Sequence, residues 1–97
     1  METTRQLIEQ LRQHQFHIST AESCTGGMIA SMLVGVSGAS EVFEEGYVTY
    51  SNEVKIKNLG VSAETIRKYT VVSGPVAEEM AKGAADRSGA ALALSTT

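Results

Sequence analysis

Phe16-His17-Ile18-Ser19-Thr20-Ala21-Glu22-Ser23-Cys24-Thr25-Gly26-Gly27-Met28-Ile29-Ala30 is the stretch from which the fold of this chain is read. Its opening, Phe16 to Thr20, is β-branched and aromatic and predicts a short strand. Thr20 to Gly27 then brings hydroxyls, a carboxylate and two glycines into what reads as one tight turn. Met28 to Val34 follows as an apolar helix whose lack of a polar face predicts burial on most sides. A strand that breaks into a helix through such a turn aims unpartnered N–H groups at one small volume, which favours an anion or an oxyanion. Ser23 is therefore a candidate nucleophile, or a contact for a phosphate or carbonyl.

The same alternation continues outward. Thr3 or Thr4 is placed to cap a first helix with Leu7, Ile8 and Leu11 on one face. Ser37-Gly38-Ala39-Ser40 is a break, with Ser40 placed to cap a single helical turn through Val42 and Phe43. Tyr47 to Tyr50 predicts a second strand. Ser51 is positioned to cap the next helix, with Gly60 after its end. Ser62 is positioned to cap another, short one carrying Ile66 inward. Val71-Val72 reads as a brief extended segment, and Ser73-Gly74-Pro75 starts a longer helix that ends at Gly89. Ala90 to Ser95 reads as a buried strand. Strands alternating with helices predict an α/β fold: three layers, α/β/α, around a mostly parallel sheet. A parallel strand normally feeds a crossover, so a strand at the last residues predicts a fold incomplete at its C-terminus.

Composition narrows the function classes. Ninety-seven residues make one domain, 1–97, with a thin core. A formal net charge of −3 gives no electrostatic reason to bind nucleic acid or an anionic membrane. The single cysteine, Cys24, excludes an internal disulfide and fits a reducing compartment. No signal-peptide pattern and no membrane-length apolar run is present, so a cytoplasmic location is expected. No metal-ligand spacing occurs; His14 and His17 are the only histidines, and each reads as solvated or packed.

Three blocks, Ala21 to Gly27, Tyr47 to Lys55 and Leu59-Gly60-Val61, agree in order and spacing with one known family. From about residue 5 onward the chain resembles the C-terminal domain of the competence/damage-inducible protein (CinA) family, known as nicotinamide mononucleotide deamidase. The resemblance implies an amidohydrolase that converts nicotinamide mononucleotide to nicotinic acid mononucleotide and ammonia in pyridine nucleotide salvage. It implies no cofactor and no metal, a small-molecule nucleotide as partner, and association into a homo-oligomer. Relatives continue past the final strand into a Gly-Pro-rich loop, further strands and a last helix. A truncated, non-catalytic nucleotide-binding or subunit-interaction module is accordingly the alternative reading.

Amide hydrolysis needs a nucleophile, a base, an oxyanion stabiliser and a proton for the departing amine. Lys55 falls early in the helix capped by Ser51, where the helix dipole disfavours a positive charge. Partial burial would lower its pKa further and yield an amine able to take a proton from Ser23. The family resemblance implies that Ser23 and Lys55 are the catalytic pair. Tyr50 is placed either to orient Lys55 or contact substrate through its hydroxyl, or to pack. Asn52 suits a hydrogen bond to the substrate amide or the start of the helix. Glu22 suits a hydrogen bond from the turn or an ion pair with Lys55. Thr25, Gly26 and Gly27 offer backbone N–H groups to an oxyanion or phosphate, or serve tight helix–sheet packing. Cys24 is the rival nucleophile, since a helix N-terminus lowers a thiol pKa.

Overall fold

The computed structural model describes residues 2–97. Three strands, β1 (Ile18–Glu22), β2 (Phe43–Val48) and β3 (Leu92–Thr96), form one sheet in the order β2-β1-β3. Both ladders are parallel: Ile18 faces Phe43 and Leu92, and Glu22 faces Val48 and Thr96. All five residues of β1 are buried, as a central parallel strand covered on both faces requires. Five helices surround the sheet: α1 (Glu2–His14), α2 (Met28–Val34), α3 (Asn52–Leu59), α4 (Ala63–Tyr69) and α5 (Gly74–Ser88).

Two separate apolar clusters define the layers. Ile8 and Leu11 of α1, Ile18, Leu33 of α2, Ala39 and Val42 make one. Ala21, Leu59 of α3, Val61, and Val76, Met80 and Ala84 of α5 make the other. Ile18 and Ala21 point to opposite faces of the central strand, so α1 and α2 cover one side of the sheet and α3 to α5 the other. This is the expected α/β/α arrangement. It also places the first crossover, through α2, on one face and the second, through α3 to α5, on the opposite face. The loops leaving β1 and β2 therefore diverge, opening a crevice at the carboxyl edge of the sheet. Open parallel sheets bind ligands at such a switch point.

Capping serines set several boundaries where the sequence predicts them. The Ser51 and Ser73 side chains accept from the Val54 and Val76 amides, and Ser62 accepts from Glu64. Gly60 and Gly89 end α3 and α5.

Other expectations are corrected. Thr3 and Thr4 do not cap α1, because the helix already runs from Glu2 and Thr4 lies on its buried side. β1 starts at Ile18 and extends to Glu22, so Thr20, Ala21 and Glu22 belong to the strand and the turn is Ser23 to Gly27. The short turn after the break is a 3-10 turn, Ala39–Glu41, preceded by Gly38 rather than capped by Ser40. β2 begins at Phe43, with Gly46 inside it opposite Thr20. A Cβ at Gly46 would collide with the Thr20 hydroxyl, so the glycine permits the close approach of the two strands. Val71-Val72 pairs with no strand. Nor is α2 buried on most sides: only Leu33 is, while Met28, Met32 and Val34 are exposed. β3 is half-exposed along its length, with Leu92 and Leu94 partly open to solvent.

Candidate active site

Ser23 is the first residue past β1, and its amide donates to the Thr96 carbonyl at the end of β3 (3.1 Å). The turn that follows is built on positive backbone angles at Gly26 (φ 60°) and Gly27 (φ 106°). Side chains other than glycine tolerate such angles poorly, so the two glycines let α2 start immediately behind the serine.

Lys55 reaches the same point from α3. Its Nζ lies 3.0 Å from Ser23 Oγ, 2.8 Å from the Thr49 carbonyl and 3.5 Å from the Tyr50 carbonyl. Only 1% of Lys55 is solvent-exposed, and no carboxylate contacts it among the described residues. Burial without a counter-charge pushes its pKa below the ordinary lysine value of 10.5. In the ammonium form Nζ donates to Ser23; once deprotonated, its lone pair faces the serine hydroxyl at hydrogen-bond distance.

Glu22 takes the first of the two roles read in the sequence, accepting hydrogen bonds from the turn, and not the ion pair with Lys55. It is fully buried on the α2 side of the sheet. Its Oε1 accepts from the Thr25 hydroxyl (2.6 Å) and the Gly27 and Ile29 amides (3.1 and 2.9 Å). Its Oε2 accepts from the Ala30 amide (3.0 Å). Burial works to raise this carboxyl's pKa, but the hydrogen bonds from Thr25, Ala30, Ile29 and Gly27 outweigh it and hold the pKa below 4.5. Glu22 thus neither pairs with Lys55 nor faces a ligand: the chain's own carboxylate occupies the anion site at the start of α2.

The same bonds correct the reading of the turn amides. Gly27 N is taken by Glu22 and Gly26 N by the Ser23 carbonyl (3.0 Å). The Thr25 hydroxyl is committed to Glu22 and to Thr96 Oγ1 (2.8 Å). The amides of Cys24 and Thr25 have no acceptor among the described residues and are the turn's available donors.

Ser23, Cys24, Tyr50, Asn52, Lys55, Val71, Val72 and Thr97 line one cleft of about 450 Å³, a size that suits a small molecule. Asn52 stands exposed at the first position of α3. The Tyr50 side chain is 78% exposed, and its contact with Lys55 runs through its backbone carbonyl, so its hydroxyl does not orient the lysine. Cys24 is exposed beside Ser23, with Sγ 3.6 Å from the Thr97 carbonyl. His14 and His17 lie outside the cleft, exposed on and just after α1. Among the described residues no cluster of three His, Cys, Asp or Glu side chains is placed to hold a metal ion. Among the described residues no helix is long and apolar enough to cross a membrane.

Sequence reading missed Thr49, Val71, Val72 and Thr97. Thr49 and Thr97 immediately follow the carboxyl ends of β2 and β3, where the parallel-sheet rule places ligand contacts. Val71 and Val72 carried no local signal.

The family model of the CinA C-terminal domain matches residues 1–97. The chain belongs to the CinA C-terminal domain family. It is similar to a CinA-like protein of Kosmotoga olearia, 50% identical over 91 residues, which cover 94% of this chain and 22% of that protein. A solved CinA superfamily protein from Escherichia coli superposes with a TM-score of 0.93 at 38% identity, covering 95% of this chain and 54% of that one. The competence/damage inducible protein CihA from Agrobacterium tumefaciens gives a TM-score of 0.90 at 40% identity, covering 97% and 57%. The chain therefore spans about a fifth of the curated CinA-like relative and just over half of each solved CinA structure.

Proposed function

We propose that this domain is an amidohydrolase in which Ser23 and Lys55 form a nucleophile–base pair acting on nicotinamide mononucleotide. One observation carries the chemistry: a lysine amine, buried without a counter-charge, lies 3.0 Å from a serine hydroxyl at the mouth of a cleft. A structural lysine would be paired or would extend to solvent. A lysine kept from both has a lowered pKa and suits general-base work. The substrate follows from the family resemblance, which implies a nicotinamide nucleotide.

In this reading Lys55 accepts the Ser23 proton as Oγ attacks the carboxamide carbon. The free Cys24 and Thr25 amides receive the developing oxyanion. The protonated Lys55 then returns the proton to the leaving nitrogen, releasing ammonia and an acyl-serine. Water, deprotonated by Lys55 in turn, cleaves that ester to nicotinic acid mononucleotide. Asn52 and Tyr50 contact the substrate from the rim. A cytoplasmic location and a homo-oligomer belong to the same reading.

The test is ammonia release from nicotinamide mononucleotide by the purified chain, with Ser23→Ala alongside. We expect turnover that falls at least about 10³-fold in the variant, the scale on which a lost nucleophile reads out. Undiminished release by Ser23→Ala removes the serine from the mechanism. No release by the folded parent chain favours the non-catalytic nucleotide-binding or interaction module.

A further inference from the structure

The segment between α4 and α5 runs along the cleft under backbone strain. Thr70 has φ 67° and ψ 163°, a region that is essentially reserved for glycine and unfavourable for a β-branched residue. Such a conformation persists only where surrounding bonds over-determine it. Here three consecutive carbonyls each accept a side-chain hydroxyl: Thr70 O from Ser73 (2.9 Å), Val71 O from Thr97 (2.9 Å) and Val72 O from Thr70 (3.5 Å). Thr97 directly follows Thr96, which bonds the Ser23 amide and the Thr25 hydroxyl. The strap is thus tied to the nucleophile turn.

What the strap holds in place is Val72, 73% exposed on the cleft wall. Single exposed apolar side chains need no explanation. Among the described residues, however, the two most exposed large apolar side chains are Tyr50 and Val72, and both line this one cleft. With Val71 they make its apolar part, while Ser23, Lys55 and Asn52 make its polar part. A carboxamide carried on a flat aromatic ring matches that division, with the amide toward Ser23 and the ring against Tyr50 and Val72.

Resting on the amidohydrolase reading, we propose that Val72 is a specificity-determining residue that contacts the aromatic ring of the substrate, held in place by the strained Thr70 strap. The test uses the Ser23→Ala chain, which binds without turnover, titrated by calorimetry with nicotinamide mononucleotide and with ribose 5-phosphate, which lacks the ring. Adding Val72→Ser is expected to weaken nicotinamide mononucleotide about tenfold, the scale of a lost apolar pocket contact. Affinity for ribose 5-phosphate and the unfolding midpoint should be unchanged, because Val72 is exposed. Unchanged nicotinamide mononucleotide affinity, equal weakening of both ligands, or no binding of nicotinamide mononucleotide overturns the proposal. The two readings separate cleanly. Ammonia release with a ring-indifferent Val72 sinks this inference alone, while ring-selective weakening without ammonia release by the parent chain sinks only the reaction.

Discussion

Glu22 and Lys55 are both buried to within 1% of full enclosure, on opposite sides of the same Ser23–Gly27 turn, and the fold treats them in opposite ways. Glu22 receives four hydrogen bonds, three of them from the backbone amides of Gly27, Ile29 and Ala30 at the N-terminus of α2, and its charge is stabilised. Lys55 receives no charge partner and points its amine at neutral oxygens, so its charge is destabilised. A satisfied buried ion is a structural device, whereas an unsatisfied one beside a hydroxyl is a reactive device. Reactive groups of this kind are retained at a cost in stability.

The largest expected effect tests the reactive half of that contrast. Lys55→Met removes the proposed base and should reduce ammonia release by about 10³-fold or more. The same change should leave folding stability equal or raise it by up to about 2 kcal/mol. The Thr49 carbonyl loses a donor, at about 1 kcal/mol. Against this, an ammonium no longer has to be buried or deprotonated, a term of several kcal/mol. The sign with pH is fixed. The folded-state pKa of Lys55 lies below 10.5, so the unfolded chain binds more protons between those two values. Wild-type stability should therefore rise relative to Lys55→Met as pH increases through that window, and activity should rise over the limb where Lys55 loses its proton. Urea titrations across pH read the first and initial rates the second. A variant clearly less stable than the parent would place Lys55 among the fold's supports.

Glu22→Gln probes the structural half. The substituted amide carries an NH2 that meets backbone donors in place of one carboxylate oxygen, and the charge facing the α2 N-terminus is lost. Destabilisation of about 2–4 kcal/mol is expected at neutral pH by urea unfolding. Since Glu22 is held below 4.5 in the folded state, its contribution is present above that value. It disappears as pH falls through 4.5 toward the folded-state pKa, and the variant and the parent should converge there. A variant as stable as the parent would make the four bonds incidental.

How far this contrast was legible in the sequence follows from distance along the chain. Ser51, Ser62 and Ser73 act through amides two or three residues away, and those helix starts were read correctly. The α/β/α class followed from the alternation of elements. The Ser23–Lys55 contact spans 32 residues, and the sequence yielded it as an implication of family resemblance, not of local chemistry. Glu22 was placed in a turn when it ends a strand, and that shift decides whether its carboxylate faces a cleft or a helix. Gly46 falls outside the strand expected from Tyr47, because the reason for a glycine inside β2, the Thr20 hydroxyl, lies on another strand. The apolar α2 read as buried because periodicity reports a side chain's character and not what covers it.

The smallest expected effect separates the anchoring of α3 from the anchoring of its lysine. Ser51→Ala removes the hydroxyl that accepts from the Val54 amide, at about 1 kcal/mol of stability. The cap fixes the first turn of α3, but Lys55 Nζ is held by the carbonyl of Thr49, which precedes the helix and whose own amide donates a hydrogen bond to the Glu22 carbonyl (2.9 Å). The amine should keep its place when the cap is lost. Ammonia release should then fall by no more than about threefold, well short of the loss expected for a displaced base. A fall approaching that of Lys55→Met would mean that the capped helix, and not the sheet-bound Thr49 carbonyl, positions the base.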